Sequence, residues 1–167
     1  GNWAEPVAQV AHGAAVRAVA FSPDSRLLAY GSEDGTVNLW EVASQRPLGQ
    51  PLLGHTDFVQ SLAFSPDGQW LASVGDDQSA RVWEVATGEL RHTLLAHSGT
   101  VWDVAFSPDG AFLVTGGRDG LVIVWQTADF SRRGEPLRHS VGVRGLSFSS
   151  DGTRVATASD DQLVRVW

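Results

Sequence analysis

The sequence predicts an all-β chain in which one four-stranded antiparallel unit recurs four times, and three observations carry that prediction. His12, His55, His97 and His139 stand 43, 42 and 42 residues apart, and Trp40, Trp83, Trp125 and Trp167 keep the same steps. Asp34, Asp77, Asp119 and Asp161 each lie 22 residues after their histidine and six before their tryptophan. Between these markers run short alternating apolar–polar segments divided by turn residues, with no stretch of helical periodicity.

The elements of one unit follow in order. Runs such as Val16-Arg17-Ala18-Val19-Ala20-Phe21 and Val101-Trp102-Asp103-Val104-Ala105-Phe106 read as strands with one buried face. Each leads into a turn: Ser22-Pro23-Asp24-Ser25, Ser65-Pro66-Asp67-Gly68, Ser107-Pro108-Asp109-Gly110 and Ser149-Ser150-Asp151-Gly152. Proline presets one turn angle, aspartate hydrogen-bonds nearby amides and glycine accepts positive φ. A second strand follows, as in Trp70-Leu71-Ala72-Ser73-Val74, then a tight turn at Asp34-Gly35, Asp77-Gln78, Asp119-Gly120 or Asp161-Gln162. The third strand ends on the tryptophan, and a fourth, more polar one, such as Leu90-Arg91-His92-Thr93-Leu94-Leu95, leads to the next histidine. Four short antiparallel strands in about 42 residues make a β-propeller blade. Residues 12–54, 55–96, 97–138 and 139–167 are therefore read as blades 1 to 4, the last with three strands. Residues 1–11 are expected to form a leading strand that completes the last blade.

Composition narrows the function. At 43% hydrophobic and 19% charged the chain has enough apolar material for a core. A net charge of -7 argues against nucleic acid or an anionic membrane as partner, since both call for a basic stripe. All twelve basic residues are arginine, so lysine Schiff-base chemistry is excluded. Without cysteine there is no disulfide, thiol nucleophile or thiolate metal ligand. No segment approaches the roughly 20 apolar residues of a membrane helix, and residues 1–12 lack the regions of a signal peptide. Cytoplasmic localisation is expected. Methionine is absent, at position 1 as elsewhere, so the chain is expected to be a cut piece or a processed product.

On these residues the pattern resembles the WD-repeat (WD40) family over essentially the whole chain. The dipeptide that names the family departs here, reading Trp40-Glu41, Trp83-Glu84 and Trp125-Gln126. The resemblance implies a structural tetrad in each blade, in which imidazole, carboxylate, hydroxyl and indole N–H satisfy one another. It maps onto His55, Ser73, Asp77 and Trp83; His97, Thr115, Asp119 and Trp125; and His139, Thr157, Asp161 and Trp167. Blade 1 has His12, Asp34 and Trp40, but Tyr30 stands in place of the hydroxyl residue, so an altered network is expected there. Four copies at one spacing read as blade fasteners and not as catalytic or metal sites; no catalytic residue, metal or cofactor is assigned.

The family's usual partner-binding face implies a rim at Arg17 and Glu33; Phe58, Gln60 and Asp76; Trp102 and Arg118; and Arg144 and Asp160. Unlike the tetrads these positions differ between blades, as suits a surface free to specialise. Trp70 is read as a cover between blades, and Arg132-Arg133 as a solvated surface pair. The expected function is a non-catalytic scaffold for other proteins or peptides, the sensor or interaction part of a larger protein. The alternative is a propeller that binds a glycan or small ligand, and a hydrolase or lyase ranks below both. Four blades closing alone would turn about 90° each, the low extreme for propellers, whereas two chains would make an eight-bladed ring at roughly half that angle. A homodimer is therefore the expected assembly, with a longer array as its rival.

Overall fold

The computed structural model describes residues 5, 6 and 8–167. Its strands are β1 (Val16–Phe21), β2 (Leu27–Ser32), β3 (Val37–Glu41), β4 (Arg46–Pro47), β5 (Val59–Phe64), β6 (Trp70–Gly75), β7 (Ser79–Glu84), β8 (Leu90–Leu95), β9 (Val101–Phe106), β10 (Phe112–Gly117), β11 (Leu121–Gln126), β12 (Leu137–Arg138), β13 (Val143–Phe148), β14 (Val155–Ser159) and β15 (Val164–Val166). They form antiparallel meanders in chain order, β1–β4, β5–β8 and β9–β12, followed by the three-stranded β13–β15. No helix occurs among the described residues. The expected leading strand falls partly on residues 1–4 and 7, which lie outside the described residues; residues 8–11 belong to no strand.

The first turn of every blade is built the same way. Ser22 Oγ donates to Asp24 Oδ1 at 2.6 Å and accepts the Leu27 amide at 2.9 Å, while Asp24 Oδ1 accepts the Arg26 amide at 3.0 Å. The Ser65–Asp67, Ser107–Asp109 and Ser149–Asp151 pairs repeat this arrangement. One hydroxyl and one carboxylate thus satisfy the loop amides that the ladder leaves free. The outer strands are less regular. β8 is continuous, whereas in blades 1 and 3 the fourth strand breaks into a short ladder and an isolated bridge, with Gly49 and Gly134 at positive φ in the break.

The blades stack face to face. Ala18, Ala29, Val37, Leu39 and Leu52 of blade 1 pack on Val59, Leu62, Leu71 and Trp83 of blade 2, and blades 2 and 3 and blades 3 and 4 mate the same way. Each blade offers its forward face to the rear face of the next, and the innermost strands β1, β5, β9 and β13 lie side by side in that order. The arc is not closed. Val19 of blade 1 is 65% exposed, although its equivalents Leu62 and Val104 are 7% and 4% exposed. At the other end Val164 and Val166 are 73% and 64% exposed, while Val122 and Val82 at the matching positions are fully buried. The two open surfaces are therefore one rear face and one forward face, the kinds that mate three times within the chain.

A polar link crosses this packing near the axis. Asp103 accepts from Ser61 Oγ of blade 2 at 2.9 Å and from the Leu146 amide of blade 4 at 2.8 Å. One carboxylate therefore ties three consecutive blades. Asp103→Ala leaves the Leu146 amide unpaired, and a loss of about 1–3 kcal/mol of stability is expected by chemical denaturation. Asp103→Asn keeps an acceptor and is expected to lose less; equal losses for the two variants would show that the link contributes little.

Candidate functional site

The repeated histidines sit just before each innermost strand, and each reaches across to the second strand and the turn after it. In blade 2, His55 Nδ1 lies 2.9 Å from Asp77 Oδ2 and Nε2 lies 2.8 Å from Ser73 Oγ, which also accepts the Trp83 indole N–H at 2.8 Å. Ser73 and Trp83 are buried, so these bonds are shielded from competing water. Blade 3 repeats the chain: His97 Nδ1 to Asp119 at 3.0 Å, Nε2 to Thr115 at 2.9 Å, and Trp125 to Thr115 at 3.1 Å.

Blades 1 and 4 depart from it. In blade 1, His12 meets Asp34 through Nε2, at 2.9 Å, and its ring packs edge-on against Tyr30 with centroids 5.5 Å apart. No hydrogen bond joins Tyr30 to His12 or Trp40 among the described residues. In blade 4, Thr157 joins His139 and the Trp167 indole at 3.0 Å each, but Arg165 Nη1 stands between His139 and Asp161, 2.7 Å from each. The His139–Asp161 separation is 3.8 Å. Arg165 lies two residues before its tryptophan and so shares the tetrad face of the strand. Arg81 occupies the same place in blade 2 and approaches Asp77 at 3.5 Å. That arginine position was visible in the sequence as an outlier beside Asn38 and Ile123, and the sequence reading missed it.

These contacts set the charge states. Burial pushes the Asp77 carboxyl up, but hydrogen bonds from His55 and Ser79 and the His55 charge outweigh it and hold the group far below the ordinary carboxylate value. At Asp161 burial also acts upward, and Arg165 with the Leu163 amide and Ser159 brings the carboxyl down to about 2. His139 is lowered from the ordinary 6.5, first by burial and then by the Arg165 charge, which favours its neutral form in the folded state. The groups are spent on one another. Among the described residues no group of three or more His, Cys, Asp or Glu is placed to hold a metal ion.

The rim is built on a second repeated device. Each innermost strand carries a bulge at Arg17, Gln60, Trp102 or Arg144, the residue left out of the register. Beside it the amides of Glu33, Asp76, Arg118 and Asp160 bond the carbonyls of Ala15, Phe58, Thr100 and Gly142 at 2.8–2.9 Å. A bulge re-aims its side chain out of the ladder. Here it brings each pair together: Arg17 donates to Glu33, Gln60 to Asp76 at 2.8 Å, and Arg144 to Asp160 at 3.0 Å.

Blade 3 is different, with Trp102 and Arg118 in the paired positions. The Arg118 guanidinium has no ion pair or hydrogen bond among the described residues, and it lines an open polar pocket with Asp57, Asp76, Ser98 and Thr100. Trp102 lies against Gly142, where a Cβ would come within 2.4 Å of the indole, and Arg144 stacks over it at 3.6 Å from the ring centroid. Arg17 approaches the Phe58 ring at 5.2 Å. The aromatic and cationic side chains are thus linked across blade boundaries and partly exposed.

The family model described as "WD domain, G-beta repeat" matches residues 5–41, 46–84, 88–126 and 134–167. A search of curated proteins found no match.

The lowered groups fix the expected response to acid. A depressed folded-state value gives stability that is present above the unfolded value and lost as pH falls through it. Stability is therefore expected to decline first below about pH 6.5, from His139, and again below about pH 4, from Asp77 and Asp161. Asp77→Asn is expected to weaken the fold at neutral pH and to flatten the lower phase in melts run from pH 8 to pH 3. An unchanged lower phase would place its origin elsewhere.

Proposed function

The chain belongs to the WD-repeat family, and from that premise we propose that it is a non-catalytic scaffold that holds other proteins or peptides on its blade rim. Repeats of this family generally serve protein–protein interaction. The observation that carries the reading is the contrast between frame and rim. The bulge and its amide–carbonyl bond are the same in four blades, while the side chains they present differ in each. Trp102, Phe58 and the unpaired Arg118 are of the types that anchor interfaces, and Arg17, Glu33, Gln60, Asp76, Arg144 and Asp160 supply a preset polar surround. In blades 2 and 3 the tetrad residues are bonded to one another, which supports a structural role for them.

The open faces support a proposed assembly. A rear face and a forward face on one chain make head-to-tail association, which closes into a ring when the angles allow. Two copies closing eight blades bury both faces at an ordinary blade angle, with the leading segment of one copy completing the last blade of the other. The proposed compartment is the cytoplasm; no helix among the described residues is long and apolar enough to cross a membrane.

The rim reading is tested by selecting a displayed peptide library against the unsubstituted chain and measuring the selected peptides on variants. Trp102→Ala and Arg118→Ala are expected to weaken binding at least tenfold with melting unchanged, while Arg132→Ala, off the rim, has no effect. Peptides that bind all three variants equally would move the site away from the rim. Glycans captured on an array with no peptide selected would favour the small-ligand alternative.

A further inference from the structure

Neighbouring blades leave a groove between their outer parts, and in the groove between blades 2 and 3 the chain supplies its own occupant. Phe130 stands five residues after Trp125, is 5% exposed and takes a positive φ of 55°. Its ring meets Trp70 edge-on with centroids 5.7 Å apart, and His92 at 4.7 Å. A bulky residue is rarely left-handed, and here burial of the ring offsets that cost. An aromatic side chain entering from the loop after the third strand is thus one occupant that this kind of groove accepts.

The groove between blades 1 and 2 has matching walls and no such occupant among the described residues. Along the repeat, Leu27 matches Trp70, Gly49 matches His92 and Gly88 matches Phe130. Gly88 keeps the left-handed backbone, with a φ of 72°, but carries no ring. All three rings that meet between blades 2 and 3 are therefore missing here. A cavity of about 580 Å³ opens instead over Leu39, Leu52 and Trp83, within the size range of binding pockets. At its mouth Leu48, Leu53 and Leu90 are 41%, 72% and 38% exposed.

This apolar cavity runs on into a polar section, and Leu27, Leu48, Val85 and Ala86 line both. Asp24, Glu41, Asp67 and Glu84 face that section, with Arg26 as the cation among its described lining residues. Hydrogen bonds from Ser22 and Ser65 hold the Asp24 and Asp67 carboxyls below the ordinary value. The Glu41 carboxylate has no hydrogen bond or ion pair among the described residues. We propose that this groove docks a segment of a partner protein in which an aromatic residue adjoins a lysine or arginine. The ring seats over Leu27 and Gly88, as Phe130 seats against Trp70, and the cation meets the acids of the polar section. Phe130 is the precedent for the ring, and charge complementarity selects its neighbour. The groove is lined by the turns that follow β1, β5 and β7, at the end of the blades opposite the rim. It is therefore a second site, independent of the rim and of the two-chain ring.

The probe is a displayed library of short random peptides, selected on the chain carrying Trp102→Ala and Arg118→Ala so that the rim anchors are absent. Enrichment of peptides with an aromatic residue beside lysine or arginine is expected. In that chain Gly88→Phe, which plugs the groove from within as Phe130 does, is expected to weaken these peptides at least tenfold. Leu48→Asp is expected to do the same, and it keeps the test independent of crowding at Gly88, where a Cβ comes within 3.1 Å of Leu52. Glu41→Arg is expected to weaken them roughly fivefold at low salt and less at high salt. Enriched peptides that lack the aromatic–basic pair, or that ignore Leu48→Asp, overturn the assignment, and so does a selection that enriches nothing. A dimer that Leu48→Asp dissociates, with no peptide enriched, overturns it in favour of a second copy as the occupant. Failure of the rim reading leaves all these outcomes as they are.

Discussion

The constraint on which the structure depends is that a blade of three or four strands cannot bury either of its faces alone. A single small sheet with two apolar faces is unstable in water, and here the burial is supplied by the neighbouring blade. Val59, Val101 and Val143 are fully buried because the blade before them covers their rear face, while Val16 at the same position is exposed because no described residue covers it. Stability in such an array is close to a sum of blade terms and interface terms. The two terminal faces are what remain unpaid in that sum.

Within this frame the polar residues divide into two populations with different chemistry. The tetrad groups are paired inward; at Asp77 the pairs outweigh burial and lower the carboxyl, whereas at His139 burial and the Arg165 charge lower the imidazole. In blades 2, 3 and 4 they tie the residue before the innermost strand, through a hydroxyl of the second strand, to the tryptophan at the end of the third. The rim groups of blades 1, 2 and 4 are paired sideways beside the bulges and stay at or near the surface, outside the strand ladder. Four blades of one architecture therefore differ in the side chains they present at the bulge.

The sequence made the frame readable because its constraints are local and repeated. Ser-Pro-Asp turns, the Asp-Gly and Asp-Gln turns and the alternating strands each act within a few residues, so their spacing alone placed the strands. The tetrads of blades 2 and 3 were readable for the same reason, since one spacing serves two blades. What the spacing could not show was interaction between blades or exceptions within one. Asp103 looks like an ordinary surface residue until its partners, 42 and 43 residues away, are placed beside it. Arg165 looks like a solvated arginine until the strand turns it inward between His139 and Asp161. Arg133 is exposed, as its place in a loop suggests, yet it covers the Phe112 ring. Trp70 does pack across blades, but its contact with Phe130 depends on a backbone conformation that the composition of the loop does not announce.

In the proposed two-chain ring the exposed rear face of blade 1 meets the forward face of blade 4 of a second copy. The solution mass of the unsubstituted protein, by light scattering coupled to size exclusion over a concentration series, tests it most directly. Such a ring gives a stable species at twice the 17.9 kDa chain mass, with no larger open polymers. A monodisperse species at the single-chain mass would contradict it, and so would a ladder of ever larger assemblies, which is what head-to-tail faces give when the ring does not close.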